Sequence, residues 1–121
     1  MVSRQYLELS VPTVYASDLQ RSVKWYQQIC GFQLLELGSD AATMQVTPGV
    51  FFYLSTKEDS DRGLSFTTKR FDDLRTHLAE NNIVIEDDHG HFILFSDPDN
   101  NKVGAEPGIF GMDLLEITLP D

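Results

Sequence analysis

A chain of 121 residues has the length of one ordinary domain, and its 41% hydrophobic content, with 8 Phe and only 5 Pro, supplies the apolar bulk of a packed core rather than a disordered chain. Nineteen acidic against nine basic residues give a formal charge of -10, which repels phosphate backbones and anionic bilayers and excludes nucleic acid and membrane as expected partners. The first twenty residues show neither a basic start with an apolar block nor a bilayer-length run, and the single Cys30 cannot form an internal disulfide, so the expected compartment is the cytoplasm.

From Tyr6 to Tyr15 apolar and polar residues alternate, Leu7, Leu9 and Val11 against Glu8 and Ser10, which predicts a half-buried strand with Pro12 at an edge or bulge. Asp18 then offers an N-cap to a segment whose Leu19, Val23, Tyr26 and Ile29 fall at helical spacing, and Gly31 supplies the stop. Trp25 falls off that stripe, which leaves it exposed, packed under a neighbouring strand, or at a dimer contact. Three short strands are expected next, at Phe32 to Leu37, Ala42 to Thr47 and Val50 to Ser55, separated by Gly-Ser-Asp and Pro-Gly turns.

A polar stretch, TKEDSDRG over 56–63, reads as a solvated connector, after which the same order returns. Leu64 to Thr68 reads as a strand, Phe71 to Ala79 as a helix ended by Asn81-Asn82, and Ile83 to Glu86, His91 to Phe95 and Lys102 to Glu106 as three more strands. The fold class is therefore α+β, two βαβββ modules at about 5–56 and 63–107 within a single domain over 1–121. The extension 108–121, with LLEITL at 114–119, reads as an added edge strand or a partner-binding arm.

Two motifs then carry a resemblance. The stretch VYASDLQRSVKWYQQICGFQL, from Val14 to Leu34, and the turn FSDPDNNKVG, from Phe95 to Gly104, are similar to the opening and the final turn of the glyoxalase/bleomycin resistance/dioxygenase superfamily, also called vicinal oxygen chelate. The resemblance implies a curled, cup-like mixed sheet with helices outside and a central cavity, often enclosed by a homodimer. It also implies a divalent ion held by His and Glu on the cup strands, with open positions for substrate oxygens. At the four positions where that family places its ligands this chain has Val11, Tyr53, Gly63 and Gly104, none of which can replace an imidazole or carboxylate. The reading is accordingly a cup with no metal, no cofactor and no assigned catalytic residue.

Other ligand-rich places are read more plainly. The run Asp87, Asp88, His89, Gly90, His91 is expected to be a polar hairpin turn with Gly90 at positive φ rather than a metal site, because adjacent turn residues rarely converge on one ion. His77 is expected on the surface of the second helix, and Cys30 as a small core residue with no activating neighbour. Residues expected to share the cavity face with the vacant ligand positions are Thr13, Met44, Phe52, Tyr53, Ser65, Lys102 and Glu106, a mixed wall suited to a small organic ligand.

Three functions compete on this reading. One is a binding module that sequesters a drug or toxic organic compound, a cationic one given the protein's charge. The alternative is a metal-dependent lyase, thiol transferase or dioxygenase of the same superfamily. A third is an interaction subunit whose cup is filled by its own side chains and whose tail meets a partner.

Overall fold

The computed structural model describes residues 11–57 and 63–107. The first module runs β1 (Thr13–Tyr15), α1 (Leu19–Ile29), β2 (Gln33–Leu37), β3 (Ala41–Thr47) and β4 (Val50–Ser55). The second repeats the order as β5 (Gly63–Thr67), α2 (Phe71–Glu80), β6 (Asp87–Asp88), β7 (Ile93–Ser96) and β8 (Lys102–Glu106). Each module makes its own four-stranded mixed sheet, ordered β1-β4-β3-β2 and β5-β8-β7-β6, with β1 on β4 and β5 on β8 parallel and the other pairs antiparallel. The expected α+β architecture of two βαβββ modules is present, as two sheets that do not close into a barrel.

Local chemistry explains the first helix. Asp18, extended at the N-cap, accepts a hydrogen bond from the backbone N–H of Arg21 at 3.1 Å, and Gly31 at φ +77 lets the chain turn out. Between these ends Leu19, Val23, Tyr26 and Ile29 bury one stripe against β2, β3 and β4. The apolar face of each sheet turns the same way: Val14, Ala42, Met44, Phe52 and Leu54 from the first and Ile93, Phe95, Val103 and Ala105 from the second join the helical stripe in one buried cluster.

Three expected strands are corrected. The first is a strand only from Thr13, although Pro12 O already accepts the Tyr53 N–H at 2.9 Å; the expected residues 6–10 lie outside the described residues, as does the tail 108–121. No strand forms over Ile83 to Glu86: the Ile83 N–H is taken by Leu78 O at the end of α2, Ile83 and Ile85 pack on the core, and only the Glu86 N–H, to Leu94 O at 2.7 Å, reaches β7 before β6 begins at Asp87. The strand expected from His91 starts at Ile93, since Gly90 at φ +84 and the His89 N–H to Phe92 O bond of 2.9 Å make 89–92 the hairpin turn.

Candidate functional site

With one face of each sheet buried, strand alternation leaves the other face open. In the first sheet a row runs across four strands, Thr13 beside Tyr53, Tyr53 beside Thr43 and Thr43 beside Glu36. Phe51, two residues from Tyr53 on the same face, brings its ring to 5.9 Å from the Tyr53 ring. At one end of this row lies an open cleft of about 480 Å³ lined by Glu36, Gly38, Asp40, Ala41, Ala42, Thr43 and Tyr53. Its walls therefore combine a phenol ring, a hydroxyl and two carboxylates.

The open face of the second sheet carries Ser65 beside Gly104, with Lys102 and Glu106 two residues to either side. Lys102 Nζ lies 2.5 Å from Glu86 Oε1, 3.0 Å from Ser96 Oγ and 3.1 Å from Asn100 Oδ1, so its charge is already matched. The bonds from Lys102 and Ser96 hold the Glu86 carboxyl below its ordinary range. Among the described residues no ion pair engages Glu106, which leaves that face with a carboxylate toward solvent.

The sequence-derived wall thus divides. Thr13 and Tyr53 stand together on the first open face, and Ser65, Lys102 and Glu106 on the second. Met44 and Phe52 do not share that face: they point the other way, 0% and 2% exposed in the core, with Phe52 5.2 Å from the Tyr26 ring. The cause is the strand period, because Phe52 and Tyr53 are adjacent and must face opposite sides.

The four positions at which the resemblance places metal ligands do not fit a divalent ion. Val11 is half-buried and apolar, Tyr53 offers a phenol, and Gly63 and Gly104 offer nothing. At Gly104 the space is taken: a Cβ built there would lie 3.2 Å from the Phe92 ring and 3.5 Å from Ser65 Oγ. A larger side chain at that position would press on the Phe92 ring, which would have to give way by a few tenths of an ångström. Among the described residues, no three of His, Cys, Asp and Glu are grouped as a metal site.

Of the Asp87–His91 run, Asp87 and Asp88 form β6, and only the part from His89 makes the expected turn, with Gly90 at positive φ. Asp88 takes a two-pronged ion pair from Arg75 of α2, the second prong at 2.6 Å, and accepts from Gly90 N at 2.9 Å; the Arg75 bonds foremost hold its carboxyl far below the usual carboxylate range. His77, expected on the surface, is half-buried and its Nε2 lies 2.9 Å from Ile29 O, where it meets the carbonyl end of α1. Cys30 sits among apolar side chains, and burial pushes its thiol up to about 12. Burial thus opposes the thiolate form that a nucleophile requires.

The two motifs of the sequence prove to be one contact. Asp97, 6% exposed, accepts from the Tyr26 hydroxyl at 2.6 Å, from Asn101 Nδ2 at 2.8 Å and from the backbone N–H groups of Asp99 and Asn101 at 2.9 Å each. Asn101 Nδ2 also donates to Tyr15 O at 2.7 Å, and the Asp99 carboxylate meets Ser17, Ser22 and Arg21 around the start of α1. Burial first, and then Asp97, drive the Tyr26 phenol far above its ordinary range, so it keeps its proton as a donor. Trp25 completes the joint, 6.2 Å from Phe95 of β7. The turn of one module is therefore latched to the helix of the other.

Solved structures resemble this arrangement. A lactoylglutathione lyase from Agrobacterium tumefaciens superposes with TM-score 0.70 at 16% identity, covering 84% of this chain and 95% of that one. A glyoxalase/bleomycin resistance protein/dioxygenase from Alicyclobacillus acidocaldarius does so with TM-score 0.63 at 20% identity, covering 86% and 93%. An integron cassette protein from the mobile metagenome of V. cholerae gives TM-score 0.69 at 14% identity, covering 86% and 97%. The chain has the fold of the glyoxalase/bleomycin resistance/dioxygenase superfamily. Its sequence matches no protein-family model and no curated protein. No helix among the described residues is long and apolar enough to cross a membrane.

Proposed function

We propose that this chain is a small-molecule-binding protein of the glyoxalase/bleomycin resistance type, which sequesters a drug or toxic organic compound without using a catalytic metal. The single observation that carries the reading is the state of the four ligand positions: Val11, Tyr53, Gly63 and Gly104 lack imidazoles and carboxylates, and the Phe92 ring packs tightly, 3.2 Å from where a Cβ at position 104 would lie.

The favoured ligand is cationic with a flat apolar part. The Tyr53 ring gives a face for a cation, Glu36 and Asp40 line the same cleft, and the charge of Lys102 is matched by Glu86. A cleft open on one side also suits enclosure by a second copy, so the proposed working form is a cytoplasmic homodimer. Leu35, Leu37, Val50 and Tyr53 are 50%, 47%, 55% and 37% exposed, which supplies apolar surface for such a contact.

The test is calorimetric titration with benzyltrimethylammonium and with its neutral tert-butyl counterpart. The cation should bind more tightly, and Tyr53→Ala should weaken it by about 5- to 30-fold, the worth of one desolvated cation–π contact, with an unchanged melting temperature. Equilibrium dialysis with Mn, Fe, Ni and Zn supplies the opposing measurement. Stoichiometric metal uptake with turnover of a superfamily substrate would return the chain to the lyases, thiol transferases or dioxygenases.

A further inference from the structure

A second space lies on the buried side of the sheets, and none of the cleft residues at Tyr53 lines it. It is a cavity of about 160 Å³ between the modules, walled by Phe32 and Val46 of the first and by Phe66, Phe95, Val103 and Ala105 of the second. Ile29, Cys30, Thr68 and Leu74 line both this cavity and an outer cleft of about 370 Å³, so the two spaces adjoin.

Size and wall chemistry define what the inner space accepts. An apolar space of about 150 Å³ is large enough to admit a benzene ring, and this wall offers water few of the two to four polar partners it needs. Among the described residues, the polar side chains on this wall are the Cys30 thiol and the Thr67 and Thr68 hydroxyls, and the rings of Phe32 and Phe66 stand 5.1 Å apart at a tilt of 53°. Aromatic edges and faces are both offered to a guest ring.

The outer cleft defines the other end of the guest. Its guanidinium, Arg70, is paired with Asp73 at 2.9 Å, and His77 Nε2 is engaged at Ile29 O. The Gln28 amide and the Thr68 hydroxyl also line it. A charged head would find its counter-charge already paired, whereas a neutral hydroxyl or amide would find partners.

We propose that this cavity is a second binding site, for a neutral amphiphile that inserts a benzene-sized apolar group between the modules and leaves a hydrogen-bonding head in the outer cleft. Walls drawn from both modules mean that the guest also ties them together, so binding raises stability by mass action.

The probe is benzyl alcohol, titrated into the wild-type chain and followed by two-dimensional NMR. Saturable shifts are expected at Val46, Leu74, Val103 and Ala105, with Thr43 and Tyr53 unmoved, and the melting temperature should rise. Benzoate, the same ring with a charged head, should bind more weakly, because the Arg70 guanidinium at the cleft is solvent-exposed and already shared with Asp73. Ala105→Leu fills part of the cavity and should remove the saturable shifts. Absence of those shifts in the wild type, their confinement to Thr43 and Tyr53, or an unchanged affinity in a folded A105L chain would each overturn the proposal. If A105L does not fold, the wild-type titration decides alone.

Discussion

Replacing Tyr26 by phenylalanine removes one oxygen from a fully buried ring and takes one of four donors from the Asp97 carboxylate. A hydrogen bond to a charged partner contributes about 1.5–3 kcal/mol, so Tyr26→Phe should cost about 2 kcal/mol, or roughly 1 M in the urea midpoint. Asp97→Asn should cost more, although it preserves shape better. Each carboxylate oxygen accepts two bonds, Oδ1 from the N–H groups of Asp99 and Asn101 and Oδ2 from Tyr26 and Asn101, so an amide NH₂ in either place points a donor at donors. Two donors lose their acceptor, a loss of about 2–6 kcal/mol at 1–3 kcal/mol for each. Because the two residues share one bond, the double variant should fall short of the sum by about 1–2 kcal/mol. Urea unfolding followed by Trp25 fluorescence reads all four corners of the cycle, and the ring's position 6.2 Å from Phe95 makes it sensitive to the joint between modules. A D97N chain no less stable than Y26F, or purely additive losses, would refute the idea that this carboxylate latches the modules.

Two further outcomes follow from the site and its surroundings. Gly104→Glu should destabilise by about 1–3 kcal/mol through overpacking against Phe92, and a second change, Phe92→Ala, should relieve part of that loss in the same urea assay. Equal stability of G104E with and without F92A would contradict the steric account. For Cys30 the sign is set by a raised value: the folded chain holds the thiol proton more tightly than the unfolded one, so this contribution is intact below about 9 and is lost as pH rises toward about 12. Thiol modification of the native chain should therefore stay slow at pH 8 and accelerate steeply above pH 10; rapid labelling at pH 8 without unfolding would count against it.

Much of the architecture was legible because local chemistry agreed with the fold. Asp18 and Gly31 bracket α1 as a cap and a stop should, and the alternation of Ala42, Met44 and Val46 with Thr43, Gln45 and Thr47 gives β3 one apolar face. The same alternation places Met44 in the core rather than in the cavity wall. In β4, Val50-Phe51-Phe52-Tyr53-Leu54 is apolar on both sides, so periodicity could not say which aromatic faced outward, and register alone set Phe52 inside and Tyr53 outside. Ile83 and Ile85 show the opposite failure: they alternate like a strand, yet their apolar side chains serve packing while the backbone turns away from α2. The latch was beyond reach of local reasoning. Tyr26 and Asp97 lie 71 positions apart, and nothing in either neighbourhood states that a phenol will seek that carboxylate. Phe92 over Gly104 is likewise a tertiary contact, although an aromatic residue near a missing side chain is the combination worth checking.

The latch also separates two jobs that a recognisable signature tends to blur. Arg21, Ser22, Tyr26, Asp97, Asp99 and Asn101 hold one half of the molecule to the other, and none of them belongs to the cleft at Tyr53. Thr13, Thr43, Tyr53, Ser65 and Glu106 can therefore be redrawn as a set, in search of a new guest, while the bolts of the frame stay in place. A chain assembled in this way is a ready chassis for building receptors.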